Sequence, residues 1–110
     1  MPGGMSKKTA DKYFRSLLQA LNECEIQFQK NPRIGRKAVG GWHHDHTITL
    51  QDCPNRNNML LYLIHEGLHH LYPEIPEHDC AGEGIELLAR QLFCEFSTNQ
   101  LKKLECYLKH

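Results

Sequence analysis

Apolar side chains recur at helical intervals from Thr9 to Lys30, where Phe14, Leu17, Leu18, Leu21, Cys24 and Phe28 fall three or four positions apart. That spacing predicts one amphipathic helix lying flat on a core and stopped by Asn31-Pro32. The period then changes. Between Arg33 and Cys53, Gly35, Gly40 and Gly41 precede the polar run Trp42-His43-His44-Asp45-His46 and the alternating Thr47-Ile48-Thr49-Leu50, a pattern that predicts two short antiparallel strands about a polar turn. After Cys53-Pro54, either Asn55 or Asn57 is placed to cap a helix running to Tyr72, where Pro73 forbids continuation. Leu60, Leu61, Leu63, Ile64, Leu68 and Leu71 make that helix apolar almost all round, so it is expected at the buried centre. Beyond a loop with Pro73, Pro76 and Gly82, the stripe Ile85, Leu88, Ala89, Leu92, Phe93 and Phe96 predicts a further helix. Ser97-Thr98-Asn99 is expected to kink or restart it before Leu101, Leu104 and Leu108.

The expected class is therefore α+β: an N-terminal helix, a small antiparallel sheet or hairpin, a central helix, and a C-terminal helix or helix pair. With 110 residues and 40% apolar content there is material for one core, assigned to residues 9–110, with residues 1–8 set aside as an unstructured start. Thirteen basic and thirteen acidic side chains cancel, leaving no positive field to hold nucleic acid or an anionic membrane. The longest apolar run, Met59 to Ile64, falls far short of the roughly 20 residues a membrane-spanning helix needs, and a soluble, cytoplasmic protein without an export leader is expected. Five cysteines, an odd number without a CxxC pair, fit reduced thiols; Cys24, Cys94 and Cys106 are expected as small core residues.

Eight histidines change the picture more than the charge balance does. Within the central helix stands His65-Glu66-Gly67-Leu68-His69, an HExxH motif. Residues four apart lie about 40° from one another around a helix, so both imidazoles leave the same face and can grip one zinc ion. Glu66, about 60° from His69, is placed to reach a metal-bound water without ligating, the position of a general base. His43, His44, Asp45 and His46 form a second cluster, read either as a second metal site or substrate-contacting rim, or as a solvated turn. His70 points about 100° away from His69 and is read as a surface or sheet contact.

Together with Gly82-Glu83-Gly84-Ile85-Glu86-Leu87-Leu88 downstream, this motif resembles the zincin metallopeptidases, and among them the gluzincins and the very small minigluzincins, over roughly residues 46–96. The resemblance implies a minimal zincin-like domain in which His65, His69 and Glu83 hold zinc and Glu66 activates water for peptide-bond hydrolysis. It also implies a peptide or protein substrate lying along an edge strand at Thr47 to Leu50, and a C-terminal segment able to fold over the cleft. Glu86, His78 and Asp79 compete with Glu83 as third ligand. Tyr72 is read either as an oxyanion stabiliser or as a core aromatic at the helix end, and Cys80 as a loop cysteine or a thiolate able to silence the metal. The alternatives are a non-catalytic zinc-stabilised binding domain and a zinc hydrolase acting on a non-peptide substrate.

Overall fold

In the computed structural model, which describes residues 5–78 and 83–108, helix α1 (Lys7–Asn22) begins where the Ser6 side chain accepts a hydrogen bond from the Thr9 N–H. A cap sets this start, which is why the helix enters the stretch that apolar spacing had left out. The helix stops well short of Lys30. Glu25–Gln29 is instead strand β1, a correction to the single long helix expected there. Glu25-Ile26-Gln27-Phe28-Gln29 alternates strictly, with Ile26 and Phe28 half-buried between exposed neighbours. A parallel ladder that pairs Glu25 with Thr47 and Gln29 with Gln51 overrides the helical spacing that Phe28 happens to continue.

A small hairpin follows, β2 (Arg33–Ile34) and β3 (Lys37–Ala38). Then come β4 (Gly41–His44) and β5 (Thr47–Gln51), antiparallel about a turn in which Asp45 has a positive φ of 56°. This pair matches the expected one, but β1 makes the sheet mixed, in the order β1-β5-β4. Thr47 to Leu50 therefore lies at the centre of the sheet, and the expectation of an edge strand there is corrected. With both rims of β5 consumed by neighbours, its backbone has nothing left to offer an added strand.

Helix α2 (Arg56–Leu71) is capped by Asn55, whose Oδ1 accepts the Asn58 N–H at 3.1 Å. Its Leu63, Ile64 and Leu68 are fully buried, in one core with Leu17 and Leu21 of α1 and Ile48 and Leu50 of β5. Gly67, inside the HExxH motif, lets α1 approach closely: a Cβ there would stand 2.8 Å from Leu17 Cδ2.

Helix α3 (Ile85–Glu95) ends at Phe96, which is extended, and Ser97 opens α4 (Thr98–Glu105) with a reciprocal capping box to Gln100. A 3₁₀ turn (Cys106–Leu108) completes the chain, with Leu104 and Leu108 buried. Gln100 Nε2 donates to Asp11 at 2.9 Å and the Tyr107 hydroxyl to Asn22 at 2.6 Å, so this segment is tied to α1. Cys94 and Cys106 are exposed rather than core residues, because each stands two positions, more than half a turn, from the buried Leu92 and Leu104. Among the described residues no helix is long and apolar enough to cross a membrane.

Candidate metal centre

The last turns of α2 carry His65, buried, and His69, half-buried, on the face their spacing dictates. After the helix the chain turns back on itself through hydrogen bonds from Tyr72 N–H to Leu68 C=O and from Ile75 N–H to Tyr72 C=O, at 2.8 and 3.0 Å. That return delivers Glu77. Its Oε1 stands 2.9 Å from His65 Nε2 and 2.6 Å from His69 Nε2, and its Oε2 2.8 Å from His65 Nε2. Burial acting alone would raise the Glu77 pKa, but the hydrogen bonds and charges of His65 and His69 outweigh it and hold the carboxyl below its ordinary range.

What fixes Glu77 is the start of α3. The Ile85 and Glu86 N–H groups, orphaned by helix geometry, donate to the carbonyls of Pro76 and Glu77 at 3.0 and 3.2 Å. Gly84 permits the close approach. Its φ of +129° and the 2.5 Å that would separate a Cβ from the Pro76 carbonyl oxygen admit only glycine. In the first turn of α3, Glu86 Oε2 lies 3.2 Å from His65 Nδ1, and its Oε1 accepts from Arg90 Nε at 2.7 Å.

His65, His69 and Glu77 thus each bring a ligand atom within 4.8 Å of the others. Two imidazoles and a carboxylate form a donor set suited to zinc with an open fourth position. Glu86, accepting from Nδ1 of His65, would hold that ring with its Nε2 lone pair toward the metal. The donor group includes neither Glu83 nor His78; the structure brings Glu77 to the two histidines where the resemblance implied Glu83. Asp79 and Cys80 lie outside the described residues. Glu77 went unread because it sits on a loop, where no periodicity announces which way a side chain turns. Only the proline pair Pro73 and Pro76 hinted at a stiff return.

This group opens on a cavity of about 840 Å³ whose walls include Gly41 and Trp42 of β4, Tyr62 and Glu66 of α2, and Ile34 and Lys37 of the small hairpin. Glu66 is only 6% exposed. Burial, followed by the nearby charges of Glu77 and Glu86, pushes its carboxyl up to about 8. Tyr62 also escaped the sequence reading, although it stands one turn before His65 on the same face; its ring centroid is 6.4 Å from that of His65. Tyr72, by contrast, packs edge-on against Tyr13 at 6.2 Å and belongs to the core surroundings. None of the described residues of α4 or the 3₁₀ turn lines the cavity, so they do not form the C-terminal cover that the resemblance implied.

In the second histidine cluster, His44 and His46 are exposed while His43 turns inward, its Nε2 meeting Nδ1 of His70 at 3.0 Å. His70 is thereby a sheet contact, as expected. The chain matches no family model, and neither curated proteins nor solved structures include a match to it.

Proposed function

We propose that this chain is a small zinc-dependent peptide hydrolase, with His65, His69 and Glu77 holding the metal and Glu66 acting as general base. The observation that supports this most strongly is the convergence of the two HExxH histidines and Glu77 on one wall of an open cavity, with the motif's own Glu66 on the same wall. Zinc held by such a set supplies Lewis-acid polarisation and a water acidic enough to attack near neutral pH. The remaining work falls to the protein. Glu66 takes the proton of the attacking water and carries it to the leaving amine. Glu86 holds the His65 ring in one tautomer. On the opposite side, β4 is the edge of the sheet and its Gly41, Trp42 and His43 line the cavity. An extended peptide added beside it would gain main-chain hydrogen bonds that fixed dipoles can supply without regard to sequence.

The test uses zinc-loaded full-length protein and a broad peptide mixture. Glu66→Gln should lower turnover by roughly 10²- to 10⁴-fold, the range for loss of a general base, with zinc content unchanged. Glu77→Ala should release zinc far more readily than Glu83→Ala. A zinc-loaded parent protein that cleaves no peptide would transfer the assignment to a non-catalytic zinc-stabilised domain.

A further inference from the structure

Beside the HExxH face, three elements meet at a second cluster of donors. Cys24 lies at the junction of α1 and β1, His43 on β4, and His70 in the last turn of α2. Each offers one ligand atom within 4.8 Å of the other two, and all three are half-buried. The closest pair is His43 Nε2 and His70 Nδ1, 3.0 Å apart with their rings edge-to-face.

The outward-facing nitrogens decide what this short contact means. His70 Nε2 lies 3.3 Å from Glu23 Oε1, and in the neutral ring that donates from Nε2 to that carboxylate, Nδ1 is left with a bare lone pair. Burial, then the charge of His70, holds the His43 pKa below its ordinary value against an opposing hydrogen bond to the Asp45 backbone, so the neutral ring spends its one hydrogen there. Because Nε2 faces His70, the donor is Nδ1, and Nε2 too is left bare. Two lone pairs then confront each other at 3.0 Å, an arrangement that calls for a cation between them. A shared proton would satisfy the nitrogens but leave the sulfur of Cys24 without a part. A metal ion engages all three.

We propose that Cys24, His43 and His70 form a second metal site, separate from the HExxH centre, for a borderline-soft divalent cation of the zinc type. The donor chemistry is apt: one thiolate and two imidazoles match zinc's preferences. The 3.0 Å between the two imidazole nitrogens is close to what tetrahedral ligation demands, since nitrogens roughly 2.0 Å from zinc stand somewhat over 3 Å from one another, and the Cys24 sulfur is within 4.8 Å of both. Glu23 supplies the carboxylate partner that metal-bound histidines characteristically have. Binding displaces the Cys24 proton, and the thiolate and Glu23 together offset the ion's charge. Glu74, His69, His44 and His46 do not enter the donor group; the ring of His46 lies 5.3 Å from that of His70. The ion would join the end of α1 to the edge strand and to α2, one residue beyond His69.

Cobalt(II) loading of the full-length protein tests this, because the HExxH group contains no sulfur and only a thiolate ligand produces near-ultraviolet sulfur-to-cobalt charge-transfer absorption. Two cobalt ions per chain and that absorption are expected. Cys24→Ser, a conservative change that the fold should tolerate, should remove the absorption and one equivalent, whereas Cys80→Ser should keep both. Glu77→Ala should lose the other equivalent and leave the thiolate absorption intact, so that failure of the HExxH reading and failure of this one are told apart. Absence of thiolate absorption in the parent protein, or its persistence in Cys24→Ser, would overturn the proposal in favour of a shared His43–His70 proton.

Discussion

Replacing Gly84 by alanine should cripple metal binding although Gly84 supplies no ligand atom. With φ at +129° and ψ at −156°, the residue occupies a region open essentially to glycine alone, which costs another residue about 1–3 kcal/mol. The added Cβ would also stand 2.5 Å from the Pro76 oxygen and 2.8 Å from the Glu77 oxygen, both main-chain atoms that cannot rotate away. Relief requires the 76–77 backbone to retreat by roughly an ångström from the start of α3, to ordinary van der Waals distance. That retreat weakens the two hydrogen bonds holding it, at about 0.5–1.5 kcal/mol each. Destabilisation of the metal-free protein should therefore reach about 2–6 kcal/mol. Zinc affinity should fall by at least the roughly 10- to 100-fold seen when ligand-orienting contacts are lost, since Glu77 moves with its backbone. Zinc competition against a chromophoric chelator and urea unfolding with chelator present measure the two effects separately. Gly35→Ala is the control: its φ is also positive, at +62°, but a Cβ there meets nothing within 4 Å, so it should cost about 1 kcal/mol and leave zinc binding alone. A Gly84→Ala protein that matches the parent in both assays would refute the idea that α3 positions Glu77 through its backbone.

In the metal-free protein, Glu66→Gln should be stabilising near neutral pH. A carboxyl raised to about 8 keeps a proton in the folded state that the unfolded chain releases above its ordinary value of 4.5, so its contribution to stability falls as pH rises between those values, at about 1.4 kcal/mol per unit. Glutamine has no such slope, and urea midpoints of the two proteins should converge near pH 4.5 and separate progressively toward pH 8; parallel curves would contradict the assignment. Gly40→Ala should force the Tyr62 ring aside, because a Cβ there would stand 2.1 Å from Tyr62 Cζ; a loss of about 1–3 kcal/mol is expected on urea unfolding. Ser97→Ala removes the oxygen that accepts the Gln100 N–H at 3.1 Å and should cost about 0.5–2 kcal/mol, read from the thermal midpoint.

The parts of the fold legible in the sequence are those dictated locally. Asn55 before a long apolar run announced α2, Ser97 announced the break between α3 and α4, and HExxH spacing alone placed His65 and His69 side by side. Strand β1 was missed because Phe28 continues the helical spacing of Leu21 and Cys24, while Ile26, which breaks it, makes sense only beside the partner β5, distant in sequence. For the same reason β5 passed as an edge: whether a strand is central depends on what docks beside it. Glu77 is the clearest case. Its direction is set by two carbonyls meeting the first N–H groups of α3, a main-chain contact to which side-chain pattern is blind, although the Gly84 that permits it stood in plain view.

The sheet's mixed topology also bears on the order in which the molecule assembles. Glu77 lies only 12 and 8 residues from His65 and His69 along the chain, and β4 and β5 form a hairpin with a short turn. These contacts close short loops and forfeit little chain freedom. The parallel ladder of β1 on β5 cannot start from a turn, since the whole excursion through β2, β3 and β4 must be looped out before Glu25 meets Thr47, and the ties of Asp11 to Gln100 and of Asn22 to Tyr107 close loops of 89 and 85 residues, so the N-terminal unit makes the costlier closures. Folding kinetics should accordingly be limited by docking of the N-terminal α1–β1 unit onto a segment that has already gathered the HExxH donors, whereas the Cys24 cluster, which straddles that seam, can come together only at the end.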